Sequence, residues 1–151
     1  MKSPQNGRGL MNYGLIQMEK GNLYIALNYF NKALLYVPYY PYLQINMGIL
    51  KNAMNNPKDA EEHFLNAIKY GPLVNVAYYY YADFLMRHDR KQEALTYAEY
   101  SLSLDPTHLP TRHLLINLYT DLNKKEKLNR ILIETLNIYP LDILSLKFYK
   151  N

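Results

Sequence analysis

Any chemistry in this chain falls first to four histidines, because the sequence contains no cysteine. That absence excludes disulfides and thiol catalysis. The histidines are His63, His88, His108 and His113. A metal-binding helix face needs two of them one turn apart, at i and i+4, or a histidine at ligand spacing from a cysteine or carboxylate. None stands in such a pattern. There is no glycine-rich phosphate loop and no nucleophile elbow. The residues therefore predict no enzyme, no metal and no cofactor.

The other notable side chains are tyrosines. In "NVAYYYYADF", residues 75–84, Tyr78, Tyr79, Tyr80 and Tyr81 are consecutive. A strand would send two to each face, and a helix would spread four over roughly three quarters of its circumference. In neither case do all four share one core. Which rings are presented is decided by the elements that carry them.

Composition narrows those elements little. Of 151 residues, 49% are apolar and 20% charged, as in ordinary globular chains. A net charge of +4 is too weak to imply nucleic acid by itself. The basic run "KKEKLNR" at 124–130 reads as a solvated helix face. No apolar run approaches the roughly 20 residues of a membrane span. "MKSPQNGRGL" lacks the apolar centre of a secretory signal. The compartment is left open.

Self-similarity is the strong signal. Pro38, Pro72, Pro106 and Pro140 are each 34 residues apart. Ala26, Ala60, Ala94 and Leu128 keep the same step. So do Ala33, Ala67, Ser101 and Thr135, and Phe30, Phe64, Ala98 and Leu132. Gly14, Gly48, Ala82 and Ile116 form a further column. Gly21, Asn55, Asp89 and Asn123 form one made entirely of turn-formers. Within "LYIALNYFNKALLYVP" apolar residues recur at i, i+3, i+4 and i+7, the pattern of a half-buried helix. Each repeat is thus helix, turn, helix, with proline ending the second helix. First helices are predicted near 8–20, 41–54, 75–88 and 109–122, and second helices near 22–37, 57–70, 91–104 and 125–138. Asn56 is predicted to cap, Pro57 to occupy a first turn, and Asp59, Glu61 and Glu62 to favour the positive helix end.

Over about residues 7–140, "NYGLIQMEKGNLYIALNYFNKALLYVP" and "NMGILKNAMNNPKDAEEHFLNAIKYGP" resemble the tetratricopeptide repeat (TPR) family. The resemblance implies an all-α fold, a right-handed α-solenoid of four helix-turn-helix units. Their approximate bounds are 7–40, 41–74, 75–108 and 109–142, after an N-terminal tail at 1–6. "LDILSLKFYKN", residues 141–151, begins a fifth first helix in register. It is either a natural cap or the start of a longer array. The family's large aromatic near the start of each unit is kept only as Tyr78; Leu10, Gln44 and Arg112 hold the matching places. The fourth unit, with Ile116 and Leu128 where small residues are usual, is expected to pack less regularly.

By family analogy Tyr78 and Tyr81 face the helix pair, aligned with Gln44/Met47 and Leu10/Tyr13. Tyr79 and Tyr80 face the inner groove. The implied groove carries Met11, Asn12 and Leu15, then Tyr42, Ile45, Asn46 and Ile49. It continues with Tyr79, Tyr80, Asp83, Met86 and Arg87, then His113, Leu114 and Asn117. His113 is placed to face Asp83 across adjacent units, a stray polar pair rather than a catalytic dyad. Such a surface suits a peptide or helix with apolar anchors. Asn12 and Asn46 resemble half of the asparagine ladder that holds extended chains, although asparagine is common there for unspecific reasons. The family's carboxylate clamp is not expected: of its five places, filled here by Met11, Leu15, Asn46, Val76 and Tyr80, only Asn46 matches. The implied function is a non-catalytic scaffold binding a protein or peptide, without nucleic acid or membrane insertion. The alternatives are self-association into a homo-oligomer, or the TPR region of a larger membrane protein. "GNLYIALNYFNKALLYVPYYPYLQINMGILK" resembles units at the end of bacterial multi-pass glycosyltransferase-like proteins.

Overall fold

A computed structural model describes residues 3–150. It contains nine helices and no strand among the described residues. They are α1 (Pro4–Glu19), α2 (Leu23–Leu34), α3 (Pro41–Ala53), α4 (Pro57–Tyr70), α5 (Asn75–Arg87), α6 (Lys91–Leu104), α7 (Leu109–Asp121), α8 (Lys125–Ile138) and α9 (Ile143–Tyr149). The chain divides after Ala77 into two compact units.

The turn column does what its composition demands. Gly21, Asn55, Asp89 and Asn123 all take positive φ, between 54° and 82°. Each ends a first helix with the same pair of bonds. Asn55 N–H bonds Asn52 O and Asn56 N–H reaches Lys51 O; Asn123 and Lys124 repeat the pattern on Thr120 O and Tyr119 O. This Schellman closure uses the orphan carbonyls of the helix end and needs a residue that tolerates the left-handed region. Asn56 then caps α4: its Oδ1 accepts from Asp59 N–H at 3.3 Å, and its amide donates to the Asp59 carboxylate at 2.8 Å.

Two helix ends differ from the sequence expectation. α1 begins at Pro4 rather than near residue 8, because proline suits a first turn and Gly7 packs tightly under Tyr36 and Val37. α2 stops at Leu34 rather than near 37, because its last turn tightens: Leu35 N–H bonds Lys32 O and Tyr36 N–H bonds Ala33 O.

In the first unit, α1 pairs with α2 and α3 with α4. Met11, Ala26, Phe30, Ala33, Leu43, Met47 and Leu50 form one core. The glycine column lets rings in: a Cβ on Gly14 would stand 2.7 Å from the Phe30 ring, and one on Gly48 2.8 Å from Phe64. In the second unit the same columns are filled differently. Ala82 and Ala98 are both small and fully buried, and Tyr81 stacks edge-on to Tyr97 at 4.7 Å. Ile116 and Leu132 are both bulky and both buried. The backbones of α7 and α8 approach less closely than those of α1 and α2 or of α3 and α4, as the divergent fourth repeat predicts. α9 packs on α8 and α7. Its start is fixed by Asp142, which accepts from the Ser145 N–H at 2.9 Å and from its hydroxyl.

Candidate functional site

The first helices of the repeats carry the residues singled out in the sequence, and each compact unit presents its own portion. On α1, Asn12 is exposed and Leu15 half-buried; on α3, Tyr42 is exposed, and Asn46 and Ile49 are half-buried. Tyr42 leans on Tyr40 with ring centroids 5.4 Å apart, and the Arg8 guanidinium lies 5.1 Å from the Tyr40 ring centre. Asn12 and Asn46 form no side-chain hydrogen bond among the described residues.

Two residues of this portion are not presented. Met11 is only 8% exposed and belongs to the core with Phe30 and Met47. Ile45 is 3% exposed, because α3 buries most of its circumference, from Leu43 through Leu50. The helix rotation that puts Asn12 and Asn46 outward turns their preceding neighbours inward. Tyr13 errs in the other direction. Expected in the core, it is exposed at the edge of α1, and its ring packs on Tyr29 at 4.4 Å.

On α5 the tyrosine run divides as its register predicts. Tyr78 and Tyr81 are buried; Tyr79 and Tyr80 are half-buried. Tyr79 meets Tyr80 edge-on at 5.0 Å and the His108 ring at 5.2 Å. Burial first, and then the neighbouring Asp83 carboxylate, raise the Tyr79 phenol above its ordinary value, so it stays a neutral donor. One turn on, Arg87 Nε donates to Asp83 at 2.8 Å. Met86 is half-buried beside them.

His113 does not meet Asp83. Its Nε2 lies 2.8 Å from Asp142 Oδ1, so it ties α7 to the start of α9, while Asp83 is taken by Arg87. Asn117 is half-buried, whereas Leu114, expected in the groove, is buried. What the face offers is ring surface, thioether, amides and one opposite-charge pair. Among the described residues, no group of three or more histidines, aspartates or glutamates could hold a metal, and no helix is long and apolar enough to cross a membrane.

Two polar residues hold places in the aromatic column, and the sequence assigns them no partner. Gln44 is buried and its Oε1 lies 2.8 Å from His63 Nδ1. Arg112 is buried against α8. Their signal was present as departures from the repeat, but a departure alone does not say what surrounds it.

No family model and no curated protein matches the chain by sequence. Solved structures do match by fold. PilF of Pseudomonas aeruginosa superposes with a TM-score of 0.81 at 18% identity, over 89% of this chain and 61% of that one. The chain thus spans less than two thirds of PilF. YrrB, a TPR protein with an unusual peptide-binding site, gives 0.76 at 21% identity, over 96% of this chain and 75% of that one. The first TPR of Spaghetti (RPAP3), bound to an HSP90 peptide, gives 0.72 at 20% identity, over 81% and 97%. With its 34-residue helix-turn-helix repeat and these likenesses, the chain has the fold of the tetratricopeptide repeat proteins.

Proposed function

We propose that this chain is a non-catalytic interaction module that holds a peptide or helix of a partner protein against its first helices. The observation that carries this reading is the partly exposed face of α5. Two tyrosine rings 5.0 Å apart sit at partial exposure, with the Asp83–Arg87 pair one turn away. Tyrosine gives large contact area at low ordering cost, and a half-buried ring is already held in position before a partner arrives. Within the same compact unit Asn117 adds an amide, and the other unit separately presents Tyr42 and Asn46 on a first helix of its own, α3. The peptide-bound state of Spaghetti and the peptide site of YrrB lend support by analogy of fold.

The test is the double change Tyr79→Ala with Tyr80→Ala. A partner is first identified by affinity capture and mass spectrometry, then its affinity is measured by calorimetry. The double variant loses at least about tenfold in affinity, as expected when central aromatic anchors are truncated. Unchanged affinity contradicts the reading.

A second reading, self-association, is favoured by one observation. Leu141, just before α9, and Ile143, its first residue, are 85% and 82% exposed. Light scattering at micromolar concentration separates the two: the first reading gives a monomer, the second a larger species that Leu141→Asp with Ile143→Asp returns to monomer.

A further inference from the structure

We propose that the cleft between α6 and α8, floored by Arg112, binds an organic monocarboxylate on an apolar body, as at the C-terminus of a peptide ending in a large apolar residue. This site lies apart from the tyrosine face and does not depend on it.

The inference starts from one repeat column. In the third repeat Tyr78 fills its place: its ring packs edge-on to Tyr100 at 4.7 Å and stacks beside Tyr97. In the fourth repeat the place belongs to Arg112, and no ring fills the gap. A cleft of about 510 Å³ remains, with Leu102, Pro106, Leu115, Tyr119 and Ile131 among its lining. That volume suits one or two side chains.

A guanidinium never loses its charge in a protein, so burying one demands acceptors. Arg112 is 4% exposed. Its Nε donates to the Pro106 carbonyl at 2.8 Å. Its Nη1 reaches the Thr135 hydroxyl at 3.3 Å, but that hydroxyl gives its own proton to Ile131 O. Both acceptors are neutral. The one carboxylate nearby, Glu134, stands 3.8 Å away and half-exposed, beyond hydrogen-bond reach. Nη2 has no hydrogen-bond partner among the described residues. The buried cation is thus paired with Glu134 only at long range, and no carboxylate is in hydrogen-bond contact with it.

The rim sets the charge of the guest. Lys127 and the Tyr119 hydroxyl both engage Glu99, at 2.7 and 2.9 Å. Arg130 also lines the cleft. Three cations (Arg112, Lys127, Arg130) thus face two carboxylates (Glu99, Glu134), one positive charge in excess. That excess fits a monoanion, whereas a dianion such as a phosphate monoester meets repulsion from both glutamates. A carboxylate is also the planar group that an arginine fork binds through two nitrogens.

The experiment titrates the full chain, labelled at leucine and isoleucine methyls, with N-acetyl-phenylalanine and with its carboxamide. The acid is expected to shift the Leu115 and Ile131 methyls saturably, and the amide to bind about tenfold more weakly or less, as loss of a charge-assisted pair implies. Glu134→Gln, which removes the competing carboxylate, strengthens binding of the acid severalfold. Arg112→Lys keeps the charge, loses the fork and weakens binding. A short peptide ending in phenylalanine that binds at least as well as the single residue identifies a chain terminus as guest; weaker binding of the peptide identifies a small organic acid. Equal shifts with acid and amide, or none with either, overturn the proposal. So does a Glu134→Gln variant that loses thermal stability and gains no affinity, since Glu134 would then be the guanidinium's own partner.

Discussion

At Asn55, Asp89 and Asn123 a residue with a side chain stands in the left-handed region, where most L-residues are strained by about 1–2 kcal/mol. Asn55→Ala is therefore expected to destabilise by roughly 1 kcal/mol and Asn55→Gly to be neutral or stabilising, read from urea midpoints. This column was legible in the sequence because only residues tolerant of that conformation recur there. The partner of His113 was not legible. Choosing Asp142 over Asp83 depends on where α9 comes to rest, and no spacing rule encodes that. A pH effect also belongs at this scale. Burial, and then Lys51, hold His63 below its ordinary value of 6.5, and burial lowers His108 likewise. The unfolded chain takes up these protons near pH 6.5 while the folded chain resists, so the unfolded state binds more protons below that pH. The stability these residues contribute is complete above about pH 6.5 and is lost as pH falls below it. The melting temperature should drop between pH 7 and pH 5, and His63→Gln should flatten the drop.

Helix pairing is governed by matched volumes in two columns. Gly48 admits the Phe64 ring to a distance no Cβ would allow. Gly48→Ala gains about 0.5–1 kcal/mol of helix propensity but forces overpacking that costs about 1–3. A net loss is expected. Phe64→Ala alone costs about 3–5 kcal/mol. The double variant should lose less than the sum, because alanine at 48 then occupies space the ring has vacated; a strictly additive result would mean the two columns do not meet. The prolines, the caps and the 34-residue step made these elements readable to within a few residues. The start of α1 and the end of α2 were harder. α1 begins earlier than the predicted residue 8, with Gly7 packed under Tyr36 and Val37, and the tightened end of α2 answers to local bonds rather than to period.

At the scale of the molecule, the repeat assigns each helix a face, and most of the proposed site follows from that register. Asn12, Tyr42, Asn46, Tyr79, Tyr80, Asp83, Met86, Arg87 and Asn117 retain exposure. Met11 and Ile45 do not, because one residue of rotation on a crowded helix separates presented from buried, and analogy with a family resolves rotation only coarsely. Arg112 lay beyond that analogy: its meaning comes from the cleft left open between α6 and α8. The central claim is that partners are held on the first helices rather than the second. It is tested most directly by placing a photo-crosslinking residue at position 80 and, separately, at position 24, where Tyr24 is well exposed on a second helix. With the captured partner present, the account predicts a crosslinked adduct from position 80 and none from position 24. An adduct from position 24 alone would contradict it.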